Sequence, residues 1–406
     1  MWGFVRDNRR WLAAGFLLTF ASSFGQTWFI ALFAGEIRES YRLTDGQWGQ
    51  LYTLATLASA ALMIGRGGLA DTVPLGRLAT AIALLFALAA LAMATGQSVW
   101  LLGLAIFGLR FCGQGMFYHI AMTAMGRWFV ATRGRAVGIA SLGHSAGEAL
   151  VPLLFVPLIA ALGWRYGWAV AAATLALVVA PLIWWLLSGN RTPQGRHEAD
   201  EARGIGGRHW TRAEAMRHWL FWALMPLMLT PGFIGTVVFF HPAHVAETQG
   251  WELRDMVRAY PIYAVTTIVV LQIAGRVVDA LGPVRLLPVV LVPMAAGCAF
   301  FAGGALWTWF AALALLGVTQ GMSAALWGTL LPWSYGTRNL GSVRSLVTAI
   351  MVLSTAIGPG ITGAFIDAGV PFPDQGPAMA LWCLVLSVAM IWVGIRLHAA
   401  AGPAQE

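Results

Sequence analysis

The feature that most constrains this chain is its series of long apolar segments, separated by short charged or Gly/Pro-rich connections. About twenty apolar residues are enough for a helix to cross a bilayer. Twelve such segments can be placed along the 406 residues. They lie near 11–35, 46–70, 78–95, 99–125, 136–162, 167–188, 218–246, 256–277, 286–303, 305–332, 344–368 and 377–398.

Composition agrees with a polytopic membrane protein. The sequence is 59% hydrophobic and 10% charged, whereas a soluble domain carries about 25% charged residues. The basic N-terminus precedes a segment too long for a signal-peptide core, so we expect the first helix to insert and stay. The predicted fold class is therefore all-α, with twelve transmembrane helices in the lipid bilayer.

The distribution of basic residues predicts the orientation. The net charge of +8 does not indicate a nucleic-acid partner, because most arginines lie on one set of alternate connections. This positive-inside pattern predicts a cell-membrane protein of the bacterial inner-membrane type, with both termini in the cytoplasm. The arginines outside the pattern are Arg38, Arg42, Arg165, Arg254 and Arg258, with Arg110 inside a span.

Several chemistries are excluded by residue types. The chain contains no lysine, so it has neither a P-loop lysine nor a Schiff base. Cys112, Cys298 and Cys383 all lie in apolar segments, which favours packing over a metal or disulfide set. We expect no cofactor, no metal and no enzymatic activity. A membrane enzyme or sensor is the alternative of another class, but no nucleophile–base pair, metal quartet or soluble output domain is evident in the sequence.

The chain divides into two halves. The one long polar segment, 189–217, predicts a cytoplasmic linker between six-helix bundles at 1–188 and 218–406. Thr211 and Glu214 fit a capping box that starts a helix near its end. A related loop follows the second and eighth segments, which indicates duplicated bundles around a midplane site. The loop residues are Gly67, Asp71 and Arg77 in the first half, and Gly275, Asp279, Gly282 and Arg285 in the second.

These features resemble the major facilitator superfamily of secondary transporters over essentially the whole chain. That resemblance implies that the paired loops are a gating latch, broken in one conformation; an ordinary charged turn is the alternative. The segment from Phe129 to Gly147 is similar to the fifth-helix signature of the monocarboxylate porter branch. The eighth segment, however, holds no charge between Tyr260 and Gln272, where that branch has a substrate-binding arginine.

Two charges within the membrane are the main candidates for function. Arg110 lies near the middle of the fourth segment and Glu148 near the middle of the fifth. A charge at mid-membrane costs about 2.5–3.5 kcal/mol on insertion scales, so such residues usually carry function. Gln114 follows Arg110 by one turn and His144 precedes Glu148 by one turn. We expect anion binding or proton transfer here, with a purely structural Arg110–Glu148 salt bridge as the alternative.

Further polar residues at mid-membrane depth are secondary candidates for substrate binding. Each is as readily explained by hydrogen bonds between helices. They are Ser22 and Gln26 in the first segment, Tyr263 in the eighth and Gln320 in the tenth. His241 and His244 have metal-like spacing without further ligands in view. An outer gate or a hydrogen-bonded pair is favoured there over a metal site.

The sequence therefore predicts a secondary transporter working by alternating access. Its expected partners are protons and a small organic solute, with an organic anion or monocarboxylate as one candidate, and it is expected to act as a monomer. Proton-driven efflux of drugs or metabolites is the alternative within the same class. Substrate identity and the direction of transport are not determined by these residues.

Overall fold

The computed structural model describes residues 2–66, 69–129, 132–188, 204–336 and 338–401. These residues form helices joined by short turns, and no strand occurs among them. Contacts divide the chain into two units, Met1–Glu198 and Ala199–Glu406. Within the described ranges, nine helices are long and apolar enough to cross a membrane, and one bent pair makes ten. The other two predicted spans are a more polar helix, Asp45–Arg66, and a short one, Val292–Phe300.

The first unit contains six helical segments, α1–α6. Segment α1 is interrupted, α4 and α6 each contain a π-helical stretch, and Leu69–Thr72 is a separate short helix. The bounds are α1, Trp2–Ala21 with Ser22–Gly25, Thr27–Ile30, Ala31–Phe33 and Ala34–Tyr41; α2, Asp45–Arg66; α3, Leu75–Thr95; α4, Val99–Leu109, Arg110–Phe117 and Tyr118–Trp128; α5, Arg133–Leu162; and α6, Trp164–Thr174, Leu175–Val179 and Ala180–Leu187.

The second unit contains α7–α12 and several short connecting helices. The bounds are α7, Trp219–Phe240; α8, Tyr260–Leu281; α9, Val292–Phe300; α10, Leu306–Tyr335; α11, Leu340–Asp367; and α12, Phe372–Ala401. The connecting elements are Ile205–Gly207, Arg212–Arg217, Pro242–Gln249, Leu253–Met256, Val257–Ala259 and Pro283–Leu286.

Large apolar side chains cover the outside of the helices. Leu84 and Leu88 of α3 are about half exposed or more, whereas the small Ala83, Ala87 and Ala90 pack inward. Such a surface is unfavourable in water and favourable against lipid tails, where small residues let helix backbones approach one another. The helices are therefore arranged as those of a membrane protein.

Three predicted spans are broken or end short of their predicted bounds, and the reasons are local. Segment α1 breaks at Ser22–Gly25, where serine and glycine have low helix propensity. The seventh span ends at Phe240, because Pro242 begins a new helix. The ninth is reduced to Val292–Phe300, since Pro288 and Pro293 each remove a backbone donor from its start.

The end of the predicted linker is a folded segment of the second unit. The indole of Trp210 is buried, and its Nε1 donates to the Ile205 carbonyl at 3.0 Å. Its backbone N–H donates to the Tyr335 carbonyl at 3.0 Å, and Asn339 donates to its carbonyl at 3.2 Å. Residues 204–217 thus lie against the junction of α10 and α11. Residues 189–203 of the predicted linker lie outside the described residues.

The predicted capping box is confirmed. The Thr211 hydroxyl accepts from the Glu214 backbone, and the Glu214 carboxylate accepts from the Thr211 backbone at 2.7 Å. This backbone hydrogen bond, the Thr211 hydroxyl and nearby Arg208 lower the pKa of the exposed Glu214 carboxyl. A lowered pKa means that the cap is present near neutral pH and is lost as the pH falls through that value.

Trp210→Ala is expected to release the segment 204–217 from the second unit. Removal of a buried tryptophan costs about 3–5 kcal/mol. The backbone hydrogen bonds that remain at position 210 cannot offset this loss of stability. Trypsin should then cleave at Arg208 and Arg212 at least about tenfold faster, since protection follows the free energy of local opening. Trp100→Ala is the control, because Trp100 is 90% exposed; equal cleavage in the two variants would refute the assignment.

Candidate functional site

The interruption of α1 is the centre of the candidate site. The helix ends at Ala21, continues as the 3-10 turn Ser22–Gly25, and is then broken by Gln26, whose backbone is extended at φ −82° and ψ 152°. The two parts of the span meet at 45°. A broken helix frees backbone carbonyls inside the membrane, and these need partners. Discontinuous helices of this kind form binding sites in transporters.

The break lies directly on the π-helical part of α4. A Cβ at Gly113 would lie 2.6 Å from Phe86 and 2.7 Å from the Gly25 Cα, and one at Gly25 would collide with the Leu109 carbonyl oxygen. Only glycine fits at either position. The stretch Arg110–Phe117 is π-helical, a distortion that is frequent at functional sites.

Arg110 begins this π-helical stretch and is 1% exposed. Its Nη1 donates to the Gly25 carbonyl at 2.9 Å, and its guanidinium lies 5.3 Å from the centre of the Tyr52 ring. Its Nε is buried and has no hydrogen-bond acceptor among the residues that the structure describes. No carboxylate of the described residues forms an ion pair with it. The guanidinium therefore keeps a donor edge and a positive charge that this unit does not neutralise.

Glu148 lies beside the same break, on α5. It is 8% exposed and makes no hydrogen bond or ion pair within the described ranges. The preceding residue, Gly147, packs on the Ser23 hydroxyl, two residues from the carbonyl that Arg110 binds. The Arg110–Glu148 salt bridge considered from the sequence is thus not formed. Each of these two ionisable groups is buried without a counter-ion among the described residues, although both flank one turn of α1.

His144 lies one turn before Glu148, between α5 and α4. Its ring meets the Tyr118 ring edge-on at 6.0 Å, and its Nδ1 is buried without a partner in the part of the chain described. The helical face that carries His144 and Glu148 therefore turns toward α4, the helix of Arg110.

The other first-unit candidates lie near this centre. Gln114 is half-buried on the π-helical stretch. Gln26 is buried at the break, with its Nε2 3.5 Å from the Ser22 hydroxyl. That hydroxyl donates to the Thr19 carbonyl at 2.6 Å. Ser22 thus caps the first helix of α1, Trp2–Ala21, whereas Gln26 and Gln114 have polar groups available for a ligand.

The second-unit candidates form a separate group. Tyr263 is buried on α8 and meets Phe239 edge-on at 5.0 Å, while Gln320 is half-buried on α10. His241 is hydrogen-bonded to the Thr362 hydroxyl at 2.8 Å, and its ring lies 6.5 Å from that of His244. No cluster of three or more metal-ligating side chains occurs among the described residues.

The predicted latch is described only in part. Gly67 lies outside the described residues, and Asp71 and Asp279 lie outside those whose side chains are described. Arg77 and Arg285 are exposed, and Gly275 follows buried Ala274 on α8. Gly282 ends α8 with a positive φ of 77°, a conformation that favours glycine. The latch stays a prediction.

Sequence reasoning missed Tyr52. This tyrosine is fully buried on α2, and its hydroxyl is 2.7 Å from that of Thr27, just after the break. Tyr52, Thr56 and Ser59 are all buried and recur at helical spacing. A polar stripe at i, i+4 and i+7 inside an apolar helix was the available signal.

Gly25→Ala is expected to weaken ligand binding at least about tenfold and to lower the melting temperature. The added Cβ would displace the backbone at the crossing, and such overpacking costs about 1–3 kcal/mol of stability. Gly138→Ala on α5 is the matched control, since a Cβ there would meet nothing within 4 Å. Thermal-shift and binding measurements on both variants check this. Similar behaviour of the two proteins would contradict the close crossing at Gly25.

The comparisons with known proteins decide the family. The family model of the Major Facilitator Superfamily matches residues 15–359. The chain belongs to this superfamily. It is thus a multi-pass membrane protein of a transporter superfamily, and its twelve helices form the two pseudo-symmetric six-helix bundles of this fold.

Among the relatives of this facilitator is the probable sulfoacetate transporter SauU of Cupriavidus necator, 27% identical over 265 residues. That match covers 63% of this chain and only 59% of the relative's length. An uncharacterized 38 kDa protein of Thermoproteus tenax is 28% identical, with 71% of each chain covered.

Solved structures share the fold at low identity. A bacterial homologue of the human lysosomal transporter Spinster, in an inward-facing conformation, matches with a TM-score of 0.69 and 18% identity, covering 96% of this chain and 95% of that one. The nucleoside transporter NupG matches with a TM-score of 0.70 and 11% identity, covering 94% and 98%. These likenesses concern the fold alone.

Proposed function

We propose that this facilitator moves a small organic anion, such as a carboxylate or sulfonate, together with protons by alternating access. The anion binds at the break of α1 through Arg110. Glu148 carries the proton. The protein works as a monomer in the bacterial inner membrane, with both termini in the cytoplasm.

The observation that carries this proposal is the environment of Arg110. Its guanidinium is buried among α1, α2 and α4, with a backbone carbonyl and an aromatic ring as partners. The dipole of the Gly25 carbonyl and the face of the Tyr52 ring compensate the positive charge of the guanidinium only partly. An uncompensated charge inside a protein is costly. An anionic substrate supplies the missing charge. The name of the Cupriavidus necator relative supports an organic anion.

Proton coupling follows from Glu148. A buried carboxyl without a cation or hydrogen-bond donor among the described residues is suited to binding and releasing a proton as its surroundings change. Ionisable groups inside membrane bundles commonly form such relays. A proton on Glu148 removes a negative charge from the vicinity of the Arg110 site, which favours entry of the anion.

Proteoliposomes containing the purified protein provide the test. Labelled sulfoacetate should accumulate against its gradient when the outside is made acidic, and a protonophore should abolish the accumulation. A neutral nucleoside serves as the control solute. Sulfoacetate flux that ignores the pH gradient would disprove coupling, and uptake of the nucleoside without the anion would disprove the substrate class.

A further inference from the structure

The Arg110 guanidinium is held by contacts from two different helical segments. From α1, the Gly25 carbonyl accepts from Nη1. From α2, the Tyr52 ring lies beside the guanidinium carbon. An arginine held at one point can still turn about its stem, whereas two contacts on separate elements fix the plane of the group.

The Tyr52 contact is itself fixed across the break of α1. Its hydroxyl pairs with Thr27 at 2.7 Å, and Thr27 follows the extended residue Gln26. Tyr52 therefore connects the part of α1 after the break (residues 27–41, the outer part) to the guanidinium. Gly25 belongs to the part before the break (residues 2–25, the inner part). Both contacts depend on the geometry of one interruption in the helix.

Aromatic contacts hold the outer part of α1 in place near the break. Phe29 meets Phe155 of α5 at 4.9 Å and Trp168 of α6 at 5.2 Å, and Phe33 packs on Trp168 at 4.7 Å. On the inner side, the Thr19 hydroxyl donates to the Ala140 carbonyl. With both sides of the break anchored, Thr27 is a fixed support for the Tyr52 hydroxyl.

The edge of the guanidinium that these contacts leave available contains Nε. That nitrogen is buried and has no acceptor within the described ranges. Nε and the neighbouring Nη2 present two parallel N–H groups, which match the two oxygens of a carboxylate or sulfonate. A linear anion such as thiocyanate offers this edge one terminal atom instead of two oxygens.

We propose that Tyr52 is a positioning residue that sets the anion selectivity of this transporter. By holding the guanidinium plane, it presents the Nε edge to oxyanions that accept two in-plane hydrogen bonds and disfavours linear anions. This inference rests on the proposed anion site at Arg110 and adds the chemical class that the site prefers.

The test compares Tyr52→Phe and Thr27→Val with the wild type, using sulfoacetate and thiocyanate as probes. Each variant should raise the KM for sulfoacetate about tenfold. This is the effect expected when the turned guanidinium loses one of its two hydrogen bonds to the substrate, near 1.4 kcal/mol. The inhibition constant for thiocyanate and the maximal rate should change less than about twofold. The double variant should lose no more than either single one, because both remove the same contact.

Tyr41→Phe is the matched control. Tyr41 also donates its hydroxyl, to the Gly96 carbonyl at 2.8 Å, and lies 5.9 Å from the Arg165 guanidinium. It should leave the selectivity unchanged. Unchanged selectivity in Tyr52→Phe, or an equal loss for both anions, would overturn this inference alone. Failure of the wild type to bind either anion would overturn the proposed function as well.

Discussion

Arg110→Met is expected to lower sulfoacetate transport at least about 100-fold, since truncation of one partner of a buried charged pair costs about 2–5 kcal/mol. The same substitution should raise the melting temperature of the protein without substrate. The hydrogen bond to Gly25 that is lost contributes about 1 kcal/mol, whereas the buried charge that is removed costs about 2.5–3.5 kcal/mol.

Arg110→Lys separates charge from geometry. It keeps the positive charge but loses the fork of parallel donors, so sulfoacetate binding should still fall at least about tenfold. Arg165→Lys is the control, because the Arg165 guanidinium also donates to backbone carbonyls, those of Ala94 and Gly96. Thermal-shift and uptake measurements check both effects. A large loss of stability in Arg110→Met with transport intact would assign Arg110 a structural role.

Glu148→Gln is expected to abolish proton-driven accumulation while leaving exchange of the anion in place. Glutamine has the shape of the protonated carboxyl but cannot release a proton, so the transporter should behave as if permanently loaded. Accumulation under an imposed pH gradient should fall at least about tenfold, in line with loss of a proton-transfer group. Counterflow of sulfoacetate should stay within about threefold of the wild type, because the substitution is isosteric.

Glu39→Gln is the matched control for this experiment, since Glu39 is exposed near the end of α1. It should leave both accumulation and counterflow unchanged. Full proton-driven accumulation by Glu148→Gln would exclude Glu148 as the proton carrier. The coupling ion would then have to bind elsewhere.

Much of the fold could be predicted from the sequence, because a bilayer imposes a strong constraint on helix length and composition. The twelve segments, the family and the capping box at Thr211 all followed from apolar runs and short motifs. The differences between the predicted and the observed helix bounds arise at prolines and glycines. Pro242 and Pro293 were visible in the sequence, yet their effect on helix bounds depends on whether neighbouring groups satisfy the freed backbone.

The candidate site was predicted in its charges but not in its partners. Arg110 and Glu148 are conspicuous as charges in apolar segments, and the structure buries both. The salt bridge between them, considered as the alternative, is not formed among the described residues, and Arg110 donates to a carbonyl at the α1 break instead. That break depends on the close crossing of Gly25 and Gly113, a contact between distant residues that no local pattern encodes. The polar stripe of α2 was a local signal for Tyr52, but the contact of Tyr52 with Arg110 depends on packing between distant residues.

A structure of the protein with sulfoacetate bound tests the central claim most directly. The account predicts an oxyanion group within hydrogen-bonding distance of the Arg110 Nε, beside the interrupted turn of α1, with Tyr52 still against the guanidinium. A substrate bound elsewhere, with Arg110 held only by Gly25 and Tyr52, would contradict it.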